Sequence, residues 1–92
     1  MGKRWTDVLV SRLDYYTLGW DNVIERHYLA IPVGNQMADY DEYYMLSAAE
    51  FEALRDDPAA ARAFADRCRR REMDERLILK PGRDRGHPWQ PR

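Results

Sequence analysis

One cysteine, two histidines and two serines are all that this 92-residue chain offers to thiol, imidazole or serine chemistry. A lone Cys68 excludes an intramolecular disulfide and every metal site built from several thiolates. His27 and His87 are 60 positions apart, which is no zinc signature. The carboxylates at 39, 41 and 42 lack both the glycine and the closing glutamate of a calcium loop. No metal and no cofactor is therefore expected. Long apolar runs are missing too: none approaches the ~20 residues of a membrane-spanning helix. "MGKRWTDVLV" has no signal-like apolar stretch ahead of Asp7. A reducing, cytoplasmic compartment is the expectation, with no membrane contact.

Catalysis finds little to work with. Cys68 falls on the apolar side of an alanine-rich helical pattern, where a free thiol acts as a small hydrophobe. Ser47 has a capping role that accounts for it. Glu25 and His27 alternate onto one strand face and form the only acid–base pair worth naming. An unpaired or packed strand histidine explains His27 more simply, so the chain reads as non-catalytic.

The composition, 45% apolar and 34% charged, is too apolar for a disordered chain and suits one charge-covered core. Charge is unevenly placed. Residues 1–57 hold 11 acidic against 5 basic side chains, and residues 58–92 hold 5 against 10.

The hydrophobic pattern predicts strands at 4–13, 23–33, 40–46 and 76–80, with "TLGWDN" (17–22) as a turn broken by Gly19 and Asn22. Ser47 with Glu50 forms a capping box, and Leu46 with Phe51 a hydrophobic staple, so a helix starts at Ala48. Asp57–Pro58 ends that helix (48–56) and caps a second, 58–73, whose Ala61, Phe64, Ala65 and Cys68 face inward. The expected fold is α+β: a mainly antiparallel sheet of three or four strands with two helices on one face. Residues 1–80 form the domain, and 81–92, rich in glycine, proline and arginine, a flexible basic tail.

Two surfaces then compete for function. "DYDEYY" (39–44) interleaves acids with tyrosines, residues that give an interface rigid contact area and steer a basic partner. Strand alternation sets Tyr40, Glu42 and Tyr44 against Asp41 and Tyr43 and leaves open which set faces the helices. The expected partner-binding centre is Asp39, Asp41, Glu42, Tyr43 and Tyr44. Against it stands "RCRRRE" (67–72), whose Arg67, Arg69, Arg70 and Arg71, with the tail and Trp89, would make a phosphate-tracking patch for nucleic acid. A sequence pI near 6.1 argues against that alternative.

Residues 28–79 resemble the small bacterial immunity proteins encoded beside polymorphic or contact-dependent toxins. The likeness lies in the order of parts: a charged, aromatic hairpin, a Ser-capped "S-x-x-E-F" helix, an Asp-Pro break and an amphipathic helix ending in arginines. It implies a non-catalytic inhibitor that covers a basic surface of a cognate toxin. An unpaired edge strand would equally support a homodimer.

Overall fold

Gly19, which reads as a turn residue, lies inside a strand. The computed structural model describes residues 2–91. Its first four strands are β1 (Trp5–Ser11), β2 (Tyr16–Asp21), β3 (Arg26–Gly34) and β4 (Asp39–Leu46), a continuous antiparallel meander in the order β1-β2-β3-β4. Two helices follow, α1 (Ala48–Asp56) and α2 (Pro58–Arg69). The α+β class and the two-helix layer are as the pattern predicts.

The turn expected at 17–22 is β2 instead, because Gly19 serves a distant contact. It pairs with Tyr28 across the sheet, and a Cβ there would come within 2.4 Å of the Tyr28 hydroxyl and of the Thr6 carbonyl. The glycine is clearance for a tyrosine ring. The chain reverses on either side of β2, where Tyr15 (φ 53°) and Glu25 (φ 56°) take the left-handed conformation. In the second reversal the Asp21 carboxylate accepts the Val23 N–H at 2.9 Å, an Asx turn.

Ser47 caps α1 as expected: its hydroxyl accepts the Glu50 N–H at 3.1 Å, and Glu50 accepts the Ser47 N–H at 2.9 Å. Leu46 and Phe51 both lie in the buried core. The Asp57 side chain caps α2 by accepting the Ala60 N–H, and Pro58 fills the first turn. The second helix stops at Arg69 rather than 73. Arg71 is left-handed (φ 62°), and the N–H groups of Arg71 and Glu72 turn back to the carbonyls of Cys68 and Arg67, closing the helix end.

The strand expected at 76–80 is a 3-10 turn, Asp74–Arg76, followed by a single bridge from Leu77 to Tyr44. The tail is anchored, not loose. β5 (His87–Pro88) pairs with β3 at Val33 and Gly34, and the Trp89 N–H donates to the Pro32 carbonyl at 3.1 Å.

The core fills the face between sheet and helices: Leu18, Leu29, Ile31, Val33, Tyr44 and Leu46 meet Phe51, Leu54, Ala61, Ala65, Cys68 and Met73. Cys68 is fully buried and burial pushes its thiol up to about 12, consistent with a packing role. The opposite face is not flat. Trp5 on β1 and Tyr43 on β4, at the two ends of the four-strand order, stack face to face at 3.6 Å and 6°. Such a stack requires the sheet to curl toward its helix-free side.

Replacing Gly19 by alanine should destabilise the chain by about 1–3 kcal/mol, the usual cost of overpacking. Urea unfolding checks it through a lower midpoint at unchanged slope; an unchanged midpoint would show that the Tyr28 ring has room to give.

Candidate functional site

Strand alternation divides "DYDEYY" between two environments. Glu42 (6% exposed) and Tyr44 (0%) point to the helices, so neither is presented to a partner. That corrects their place in the expected centre. The Tyr44 hydroxyl donates to Glu42 at 2.9 Å, and the Arg85 guanidinium forks onto the same carboxylate at 2.7 and 3.1 Å. Arg85 also grips Asp74 with two bonds, at 2.8 and 2.9 Å, and holds its carboxyl below the ordinary range. The basic residue that this part of the acidic strand holds is the chain's own.

Asp41 and Tyr43 take the other side. There Trp5, Tyr28 and Tyr43 form one cluster: the parallel Trp5–Tyr43 stack, with Tyr28 edge-on to both at 5.4 and 5.0 Å. The Tyr28 hydroxyl donates to Asp7 at 2.7 Å. Arg4 lies 4.5 Å over the Trp5 ring while its fork holds the buried Asp21 at 3.0 and 3.1 Å. Burial alone would raise Asp21, but Arg4 and the turn N–H groups bring it below the ordinary value. A shallow trough of about 260 Å³ has Val10, Arg12, Thr17, Pro32 and Asp41 in its wall, so it touches all four strands of the meander.

The electrostatics of this concave face are unfavourable to itself. The pKa of Asp41 is raised, first by desolvation and then by repulsion from Asp7, and the Tyr43 hydroxyl offsets this only in part. Tyr43 is pushed up to about 12 by desolvation and the same two carboxylates. Among the described residues neither Asp7 nor Asp41 has a salt-bridge partner, whereas Asp14, Asp21, Glu42, Glu50, Asp66 and Asp74 each do. Asp39 is exposed at the start of β4.

The fold buries one arginine of the patch and leaves Arg67 and Arg70 exposed. Arg69, 1% exposed in its side chain, binds Asp66 and donates to the carbonyls of Tyr15 and Asp14 at 3.0 and 3.2 Å. It rivets α2 to the β1–β2 turn and is not available to a phosphate. Arg67 and Arg70 share Glu72, and Arg71 donates to the Gly86 carbonyl at 2.9 Å. Glu25 and His27 do not meet as an acid–base pair. Glu25 is exposed in a turn, while the His27 ring stacks on Phe51 at 4.1 Å with its Nδ1 buried and unbonded.

Sequence reasoning missed Trp5 and Asp7, and it placed Arg85 in the phosphate-tracking tail instead of on Glu42 and Asp74. Trp5 and Asp7 alternate on one strand beside Arg4, a detectable pattern, but nothing local says that β1 curls over β4. Among the described residues no three His, Cys, Asp or Glu side chains converge as a metal site, and no helix is long and apolar enough to cross a membrane. Comparison with protein-family models, curated proteins and solved structures finds no match.

Two outcomes are expected. Arg85→Ala leaves Glu42 buried without its counter-charge and should cost about 3–5 kcal/mol; a change below 1 kcal/mol in urea unfolding would show that water replaces the guanidinium. Asp41→Asn acts in the opposite direction. The folded chain keeps a proton on Asp41 to a higher pH than the unfolded chain does, so folding takes up protons and stability declines as pH rises from 3.8 through the raised value. The variant lacks that decline. It should melt higher than the parent at neutral pH, with the gap closing below pH 3.8; thermal melts across pH decide it, and a lower melting temperature at neutral pH would refute it.

Proposed function

We propose that the chain is a non-catalytic protein-binding domain of the immunity or antitoxin type, which covers a basic surface of a partner with its concave acidic–aromatic face. The observation that carries this reading is the pair Asp7 and Asp41: two exposed carboxylates, the first unfavourable to the second, set beside a rigid aromatic cluster and, among the described residues, without a salt-bridge partner. A lysine or arginine from a partner would relieve that repulsion, so binding gains what folding gives up. The binding centre becomes Asp41, Tyr43 and Asp39 from the expected set, joined by Trp5 and Asp7. Trp5 and Tyr43 supply contact area that needs no ordering, since each already holds the other in place.

The alternative, nucleic-acid binding through Arg67, Arg69, Arg70 and Arg71, would have to proceed without the buried Arg69, using Arg67 and Arg70, which are exposed and share Glu72, and Arg71, which bonds the Gly86 carbonyl. No feature of the fold favours it over the acidic face.

The test is binding to the product of the neighbouring open reading frame, where an immunity protein's toxin is expected. The double variant Asp7→Lys/Asp41→Lys should weaken binding at least about a hundredfold, about 3 kcal/mol. Parent affinity should also fall as salt is added. Glu52→Lys, on the solvent side of α1, serves as the control and should bind as the parent does. If the folded double variant binds with unchanged strength and salt dependence, the proposal is wrong.

A further inference from the structure

The meander has two outer edges, and the chain treats them differently. Along β4 the 3-10 turn and the segment after it cover the Tyr43–Met45 stretch of the edge: Leu77 bridges Tyr44, the Ile78 N–H donates to the Tyr43 carbonyl at 2.9 Å, and Arg76 donates to the Met45 carbonyl at 3.2 Å. Along β1 the sheet simply ends. Among the described residues, no backbone group outside the β1–β2 ladder bonds the main chain of Trp5–Ser11.

An open edge is a template for another strand, and folded chains usually blunt it with lysine, proline, a bulge or a cover. β1 carries neither lysine nor proline. It has one bulge, between Asp7 and Leu9, and beyond it Val10 is 55% exposed, as is Val8 within it. The edge is also continuous with the concave face, because β1 itself supplies Trp5 and Asp7.

We infer that the basic partner docks by adding an extended segment antiparallel to β1. Its backbone would pair with the free N–H and C=O groups of the edge. Its side chains would alternate, as on any strand: one set would turn to the concave face, where a lysine or arginine reaches Asp7 and Asp41 and its aliphatic stem covers Val10, and the other set would point away from that face. The inference rests on the reading of the concave face as a cation-holding surface. The two unpaired carboxylates select a basic segment over an acidic one, and the free backbone selects an extended segment over a helix. It adds how the partner is held: backbone pairing supplies affinity, and the carboxylates choose the register.

The test titrates the isotope-labelled full chain with synthetic peptides of about ten residues while amide shifts and hydrogen exchange are followed. One peptide alternates lysine and valine. A second has the same sequence with alternate backbone nitrogens methylated, and a third has glutamate in place of lysine. The lysine–valine peptide should shift and protect amides within Trp5–Ser11, and it should bind at least about tenfold more tightly than either of the others. Equal binding by the methylated peptide would overturn strand addition while leaving the cation-holding face intact. Failure of the lysine–valine peptide to touch β1 would also overturn it, whereas failure of the concave-face reading would show in the Asp7/Asp41 variants against the natural partner. If the same β1 amides become protected with rising protein concentration alone, and sedimentation gives a dimer mass, the edge belongs to a second copy and the inference falls.

Discussion

The Arg85 guanidinium, forked between Glu42 and Asp74, is the contact on which the C-terminal third of this chain depends. It joins a residue of the tail to one 43 positions earlier and to one 11 positions earlier. It allows a carboxylate to be buried in the sheet's helix-facing side, since a buried charge survives only when paired and hydrogen-bonded. With Arg85 in place the chain can run along β4, return to β3 as β5 and set Trp89 beside Pro32. The same logic recurs elsewhere: Arg62 reaches Asp14, and Arg76 reaches Glu50. Part of the uneven charge along the sequence is therefore spent inside the molecule, where Arg62, Arg76 and Arg85 meet Asp14, Glu50 and Glu42.

What this internal pairing leaves over is informative. Glu42 is satisfied on one side of β4, and one residue away Asp41 shares the other side with Asp7 and, among the described residues, has no salt-bridge partner. The Trp5–Tyr43 stack draws the ends of the sheet together and leaves Asp7 and Asp41 exposed on the same concave face. Stability would be better served by an amide at position 41. Sites that hold unfavourable charge in a rigid frame are where binding reads most naturally, because the partner supplies the missing counter-charge. The open β1 edge adjoins the same face, so the proposed cation site and the proposed strand addition share one surface.

The parts legible in the sequence were the local ones. Ser47 with Glu50, and Asp57 with Pro58, specify helix starts through contacts within four residues, and Cys68 follows from helical spacing. Gly19 was misread because its role is to clear space for Tyr28, a partner in the next strand, while its local signature is that of a turn. The tail looked loose because the residues that fasten it, Glu42 and Tyr40, belong to a distant strand. Alternation separated Glu42 and Tyr44 from Asp41 and Tyr43 correctly, yet it could not assign either set to the helices. Arg69 read as surface charge, but the left-handed turn at Tyr15 presents carbonyls that draw it inside.

The central claim is that Asp41 is held in a state that costs the folded chain and awaits a cation. Side-chain carboxyl resonances of the intact protein, followed through an acid titration by carbon NMR, measure this directly. Asp41 should titrate above its ordinary 3.8, and the value should fall back toward it when Asp7 is replaced by asparagine. An Asp41 that titrates at or below 3.8 in the parent chain, or one indifferent to Asp7, would contradict the account.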